Sequence, residues 1–400
     1  VGQMTDSFIA ESSASEYPPV LKFDDMDLPE SLLRGIYGHG FEKPSAIQTL
    51  GIMPIKDGRD VLGQAQSGTG KTGTFGIGSL SRVDPTLKQV QILILAHTHE
   101  LADQIATQLR LLGSYMKISV LLAVGGIPRH QNIRELRAGA QVVVGTPGRI
   151  YDLASNRELS FTSLRNFVLD EADEMLRDRF ADQVDAIVKL GLPSTCKVAL
   201  FSATMPPEVL ELAGQILKDP VRITLTTSEV TLNGISQYMV QVEEDSWKVD
   251  CFCDIFESMT ITQSIVFVNS KERAERLHAI LTERGFPTSV IYGEPMTQVV
   301  RQQRMKEFRD GASRVLIATN LLARGIDVHT VSVVFNFELP DFEDKENYVH
   351  RIGRCGRYGR KGVSISFVNP SEATVLTRIG EHYKCEISPL PQDLKTLVKS

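Results

Sequence analysis

Short runs rich in valine, isoleucine and leucine recur along this chain, and stretches with helical spacing separate them. In the amino-terminal half the runs are Gln91–Ala96, Val120–Val124, Gln141–Val144, Asn166–Leu169 and Lys197–Phe201, with a further candidate at Asp60–Leu62. In the carboxy-terminal half they are Ser264–Val268, Ser289–Tyr292, Arg314–Ala318, Ser332–Phe335 and Val363–Val368. They show little polar alternation, so they are expected to be buried on both faces, as strands of a parallel sheet are. Amphipathic stretches such as Ser270–Arg284 lie between them and supply the covering helices. The fold class is therefore α/β. At 400 residues, two doubly wound parallel-sheet domains are favoured over one. The polar stretch Thr226–Ser236 carries the turn signal Asn233-Gly234 and reads as a flexible linker. The expected layout is a disordered tail over 1–20, a first domain over 21–226, a linker over 227–236 and a second domain over 237–400. Such a layout suits hinge closure around a ligand.

Composition narrows the setting. Hydrophobic residues make up 42% and charged residues 23%, ordinary values for a globular chain. No apolar run approaches the ~18 residues of a membrane span, and no signal peptide is read at the start. The five cysteines are scattered, without zinc or redox spacing. Reduced thiols in the cytoplasm or nucleus are expected. A net charge of −6 opposes a broadly basic nucleic-acid surface but allows a local basic groove.

Two motifs carry phosphate chemistry. Residues 65–72 read AQSGTGKT after the strand candidate Asp60–Leu62. Ser67, Gly68, Thr69 and Gly70 would wrap backbone N–H groups around phosphate oxygens, Lys71 would reach the β- and γ-phosphates, and Thr72 would ligate Mg²⁺. The helix that follows aims its amino terminus at the same anion. Residues 170–173 read DEAD directly after Phe167–Leu169. Asp170 would hold Mg²⁺, and Glu171 would orient or deprotonate the attacking water. Each motif alone has an ordinary structural reading, a glycine turn or an acidic turn. Together, in a βα array, they indicate an ATP site.

The order of motifs is more specific still. Gly40-Phe41-Glu42-Lys43-Pro44-Ser45-Ala46-Ile47-Gln48 is followed by AQSGTGKT, DEAD, SAT (202–204), ARGID (323–327) and HRIGRCGR (350–357). This series resembles the DEAD-box RNA helicases over about residues 22 to 395. Within that family the likeness is to the translation-initiation and exon-junction branches. The resemblance implies that Gln48 pairs with the adenine edge, that Phe41 packs on its face, and that Asp327 accepts from the ribose. It implies that Ser202, Thr204 and His350 couple the ATP site to the domain interface. Arg354 and Arg357 are the implied arginine fingers, worth ~10³–10⁵ in rate. The implied RNA contacts are Thr98, Gly126, Thr146, Gly148 and Arg149 in the first domain, with Gln298, Arg301 and Thr319 in the second. Groups of these types grip phosphate and sugar, not base edges.

The activity the resemblance implies is ATP-dependent RNA unwinding by a monomer, with single-stranded or locally structured RNA as partner. Scaffold or activator proteins would orient the two domains. An ATP-locked RNA clamp within a ribonucleoprotein is the alternative, and a DNA helicase of the same superfamily a more distant one. The sequence also departs from the family pattern. His97-Thr98-His99-Glu100-Leu101-Ala102 stands where the family has Pro-Thr-Arg-Glu-Leu-Ala, Asn320 stands for the usual Asp, and Tyr292-Gly293-Glu294-Pro295 replaces His-Gly-Asp-Met. Replacing Arg by His99 exchanges a fixed charge for one that titrates near neutrality.

Overall fold

The computed structural model describes residues 16–65, 68–177, 180–225, 235–259, 261–320, 331–355, 362–383, 385–394 and 397. The chain divides into two compact units, 1–226 and 227–400, each built on a seven-stranded sheet. In the first unit the strands are β1 (Val61–Gln64), β2 (Ile92–Leu95), β3 (Val120–Ala123), β4 (Val142–Gly145), β5 (Asn166–Asp170), β6 (Lys197–Ser202) and β7 (Val221–Thr224). Their spatial order is β3-β4-β2-β5-β6-β1-β7, with every pair parallel. In the second unit they are β8 (Ile235–Gln241), β9 (Gln263–Phe267), β10 (Thr288–Ile291), β11 (Val315–Ala318), β12 (Val331–Asn336), β13 (Gly362–Val368) and β14 (Ser388–Pro389). Their order is β10-β11-β9-β12-β13-β8-β14. Counted from its own first strand, the second sheet repeats the topology of the first. Both are RecA-like.

The central strands are fully buried; β2 and β4 expose no residue, as the unbroken apolar runs require. Helices cover both faces. In the first unit they are α1 (Glu30–Gly38), α2 (Ala46–Lys56), α3 (Lys71–Leu80), α4 (His99–Leu112), α5 (Arg129–Arg137), α6 (Pro147–Ser155), α7 (Ala172–Arg177), α8 (Ala181–Lys189) and α9 (Pro207–Ile216). In the second they are α10 (Lys248–Ser258), α11 (Lys271–Glu283), α12 (Gln298–Arg309), α13 (Lys345–Ile352) and α14 (Pro370–Tyr383). Caps set where several begin. Thr98 accepts from Leu101 N at the start of α4, and Ser270 accepts from Arg273 N at the start of α11. On α4, Leu101, Ile105, Leu109 and Leu112 form one buried stripe. Phe75 of α3 meets Phe201 of β6 with ring centroids 5.5 Å apart, fixing the phosphate-loop helix to the sheet. Among the described residues no helix is long and apolar enough to cross a membrane.

Three strands are absent from the sequence reading: β7, β8 and β14. They lie together at one side of their sheets, where exposed polar positions interrupt the apolar run, as Arg222 does in β7 and Ser236 in β8. β8 begins at Ile235, so Ile235 and Ser236 belong to a strand and the expected linker ends before them. The expected tail is also too long. Glu16 pairs with Arg59 at 2.5 Å, Val20 N donates to Thr49 O at 3.0 Å, and Tyr17 and Val20 pack on the first core. Contacts of that kind order a segment whose composition alone reads as a tail.

Candidate functional site

The chain leaves β1 and enters α3 through a loop shaped by glycine. Gly68 and Gly70 have φ of 85° and 104°, conformations open to glycine at little cost. Close approach is the second reason. A Cβ on Gly70 would stand 2.5 Å from Ser45 Oγ, and one on Gly73 would stand 2.4 Å from Gln48 Nε2. The amino terminus of α2 therefore lies against the loop. Ser45 and Gln48 form a reciprocal capping box there. Ser45 Oγ donates to Thr69 O at 2.7 Å, and Gln48 Nε2 donates to Gly70 O at 3.2 Å. Phe41 flanks the same corner, edge-on to Phe23 with centroids 6.2 Å apart. Lys71 is buried at the first position of α3, and Thr72 follows it.

Asp170 is the last residue of β5 and is almost wholly buried. Burial drives its carboxyl up to about 7, against the pull of Lys71 and with the push of Glu171. A buried acid in that state takes a proton unless a cation stands beside it. The donor set, a carboxylate at Asp170 and a hydroxyl at Thr72, consists of the hard oxygens that suit Mg²⁺. Glu171 follows in the left-handed region at φ 54°, and its N–H donates to Asp170 Oδ1 at 3.0 Å.

β6 lies between β5 and β1, which brings SAT between the two phosphate motifs. Asp173 N donates to Ser202 Oγ at 3.2 Å. Thr204 donates twice to Asp173 Oδ2, from N at 3.1 Å and from Oγ1 at 2.7 Å. Asp173 was not among the residues singled out from the sequence; the final letter of DEAD is the one signal for it.

The remaining first-unit candidates gather at the carboxyl ends of β2, β3 and β4, which are neighbours. Thr98 caps α4, Thr146 precedes α6, and Gly126 follows β3 at φ 83°. Gly148 lies in the first turn of α6, where a Cβ would stand 3.2 Å from Gln183 Oε1. The amino termini of α4 and α6 thus face one edge, an arrangement that favours anions. Arg149 is occupied internally: Nη1 donates to Ile127 O at 2.8 Å and to Asn132 Oδ1 at 2.6 Å. Its charge holds the turn before α5. The second unit places its candidates on the matching strands. Gln298 and Arg301 open α12, which follows β10, and Thr319 follows β11 with its N–H on Ile291 O at 3.3 Å.

Comparison with known proteins bears on the whole chain. A DEAD/DEAH box helicase model matches residues 45–212, and a helicase conserved C-terminal domain model matches residues 247–359. An ATP-dependent RNA helicase eIF4A of Schizosaccharomyces pombe is 48% identical over 399 residues, covering 100% of both chains. Its counterpart in Mycosarcoma maydis is 49% identical over 376 residues, 94% of this chain and 90% of its own. The chain belongs to the DEAD-box RNA helicases. It is an RNA-dependent ATPase. The solved structure of S. cerevisiae Dbp5 bound to RNA and ADP BeF3 matches this helicase with a TM-score of 0.86 at 35% identity, covering 94% of this chain and 100% of that one.

Within this helicase the first arginine of HRIGRCGR is structural. Arg351 is fully buried. Its Nε donates to Asn320 Oδ1 and its Nη2 to Asn269 Oδ1, each at 2.7 Å, and Nη1 donates to Glu338 O. Burial lowers its pKa to about 9, which leaves it charged at neutral pH. Arg354 Nε donates to His350 O at 3.1 Å, one turn back along α13. Tyr292, in the altered Tyr-Gly-Glu-Pro segment, packs into the second core, and its hydroxyl donates to the Glu275 carboxylate. That bond, reinforced by burial, raises the phenol pKa. The Tyr292 departure therefore serves packing. His99 lies over Gly125, where a Cβ would stand 3.2 Å from the ring. Ser67, Asp327 and Arg357 lie outside the described residues, as does the side chain of Gln298.

Proposed function

We propose that this helicase acts in translation initiation, clamping single-stranded RNA and opening local structure while it turns over ATP with Mg²⁺. The observation that carries the reading is full-length identity of 48% to a relative described as eIF4A, on a chain whose phosphate-loop and DEAD residues meet at one sheet edge.

The roles follow from chemistry. Gln48 and Phe41 select adenine, the amide by its paired donor and acceptor and the ring by stacking. The loop from Ser67 to Gly70 presents N–H groups to phosphate, and Lys71 places a cation there. Thr72 and Asp170 hold Mg²⁺, which when bound neutralises phosphate charge. Glu171 orients the attacking water and takes its proton. Arg354 and Arg357 stabilise charge on the transferring phosphoryl group, and Asp327 accepts from the ribose. Ser202 and Thr204, which hold Asp173, transmit the state of the ATP edge, with His350 as their counterpart in the second unit. Thr98, Gly126, Thr146 and Gly148, with Gln298, Arg301 and Thr319, grip the RNA backbone, while Arg149 supports the loop beside them. Closure driven by ATP and RNA together needs about 5.5 kcal/mol of differential binding to shift a population from 1:99 to 99:1. S. cerevisiae Dbp5 has been solved bound to Gle1 and IP6, which supports a protein activator as a partner type here.

Phosphate release from ATP, with and without single-stranded RNA and beside Glu171→Gln, tests the reading. RNA-stimulated release that the substitution abolishes is expected. Tight ATP and RNA binding without turnover would replace the reading with a static clamp.

A further inference from the structure

β2 and β5 are adjacent, and their register pairs Leu95 with Leu169. Two residues further along each strand, the same offset carries His97 and Glu171 past the carboxyl edge together. The His97 Nδ1 atom stands 3.3 Å from Glu171 Oε2, with only 4% and 5% of the two side chains exposed. Both main chains are anchored. Glu171 O accepts from Glu174 N at 3.0 Å and Met175 N at 3.2 Å, and Thr98, next to His97, caps α4. What the backbone leaves unset is rotation of the Glu171 carboxylate about its own side-chain bonds.

That rotation matters because Asp170, Asp173 and Glu174 surround Glu171 in sequence, and Asp170 bears on it directly through charge. Repulsion among buried acids turns a carboxylate away from its neighbours unless a donor holds it. Proline, the residue of the family motif at this position, has no side-chain donor. An imidazole has one, and the hydrogen bond made by one ring nitrogen sets the tautomer. Contacts of this kind commonly tighten only when substrate is in place.

We propose that His97 is a positioning residue for Glu171: its Nδ1–H donates to Oε2 and leaves Oε1 facing the attacking water. The proposal rests on the assignment of Glu171 to water activation. No proton or electron is transferred in the step. The imidazole restricts one rotation and so holds the water-activating oxygen in a reactive orientation. The same side chain in a purely space-filling role would contribute equally whether residue 171 were Glu or Gln.

The test is steady-state RNA-stimulated ATP hydrolysis by the full chain, with kcat and KM read separately. The variants are His97→Pro, His97→Asn, Glu171→Gln and the His97→Pro/Glu171→Gln pair, the slow variants being followed in single turnover. His97→Pro is expected to lower kcat about 10- to 100-fold, with the KM for ATP and the RNA half-saturation unchanged. His97→Asn restores a side-chain N–H near the Nδ1 position and is expected to recover most of the rate. In the Glu171→Gln background, His97→Pro should add little further loss. An unchanged kcat in His97→Pro overturns the proposal, as does a further loss of equal size in the Glu171→Gln background. Glu171→Gln that still hydrolyses at the wild-type rate overturns the assignment of Glu171 itself, and is distinguished by that result alone. A readout free of activity covers poor folding of the proline variant. The ¹⁵N resonance of His97 Nδ1 in the full chain with RNA and a non-hydrolysable ATP analogue bound is expected to shift on Glu171→Gln, and an unmoved resonance overturns the proposal.

Discussion

Thr204 holds Asp173 from two directions, with its backbone N–H at 3.1 Å and its hydroxyl at 2.7 Å ending on the same carboxylate oxygen. The last residue of DEAD is thereby fastened to the last residue of SAT across adjacent strands. Both donors serve a buried acceptor, and hydrogen bonds to charged groups contribute about 1.5–3 kcal/mol each. Thr204→Val removes the hydroxyl and keeps the shape. Hydrogen exchange at the Asp173 and Thr204 amides is expected to accelerate roughly 10- to 150-fold, with distant amides of the first unit unchanged.

Gly73→Ala sets two effects against each other. Helix propensity favours alanine by about 1 kcal/mol, but the added methyl would stand 2.4 Å from Gln48 Nε2. Such a contact forces the Gln48 amide out of its seat against the phosphate loop, where it bonds Gly70 O. The clash is expected to win, with ATP binding weakened tenfold or more, about 1.4 kcal/mol. Nucleotide titration measures the loss, and RNA binding without nucleotide should be unaffected.

Asn320→Asp should stabilise the second unit. Arg351 is buried with amide and carbonyl oxygens as its bonded acceptors. A carboxylate at 320 would turn a neutral bond into a charge-assisted one, a difference of about 1 kcal/mol. Thermal melting of the full chain should show a higher transition for the second unit at neutral pH.

Asp245 supplies a test in pH. Burial works to raise its pKa, but bonds from Arg273 and Lys248 outweigh that and hold it below the usual range. The folded value lies below the unfolded one, so the stabilisation is present above about pH 4 and is lost as pH falls through the folded value. Asp245→Asn is expected to cost about 1 kcal/mol at pH 7, the scale of a partly exposed ion pair. The gap to wild type should narrow steadily below about pH 4 in denaturation profiles of the full chain.

The sheets were legible because burial on both faces leaves so plain a mark: all four residues of Ile92–Leu95 are buried, and all four are aliphatic. β8 was not legible, because Ser236 and the polar residues around it carry no such constraint. The phosphate loop and the DEAD carboxylates were legible because phosphate chemistry demands glycine, lysine and acid at set spacings. Roles that depend on which neighbour a side chain meets were not. The resemblance names Arg354 and Arg357 as arginine fingers, but nothing in the string shows that Arg351 is sunk among Asn320, Asn269 and Glu338. Arg149 reads as an RNA contact until Ile127 O and Asn132 Oδ1 are seen to occupy its guanidinium. His97 reads as a departure of no stated consequence until the register of β2 on β5 sets it against Glu171.

That register has an evolutionary side. Because parallel strands end in step, the residues at and just beyond their ends stand like keys on one board: His97, Glu171 and Ser202 each answer to a different strand, yet each is presented to its neighbours by default. A lineage can exchange one key without rebuilding the frame that carries it. Chemical variation within this fold can therefore come from single substitutions in the step beyond the strand, with the rest of the sheet left untouched.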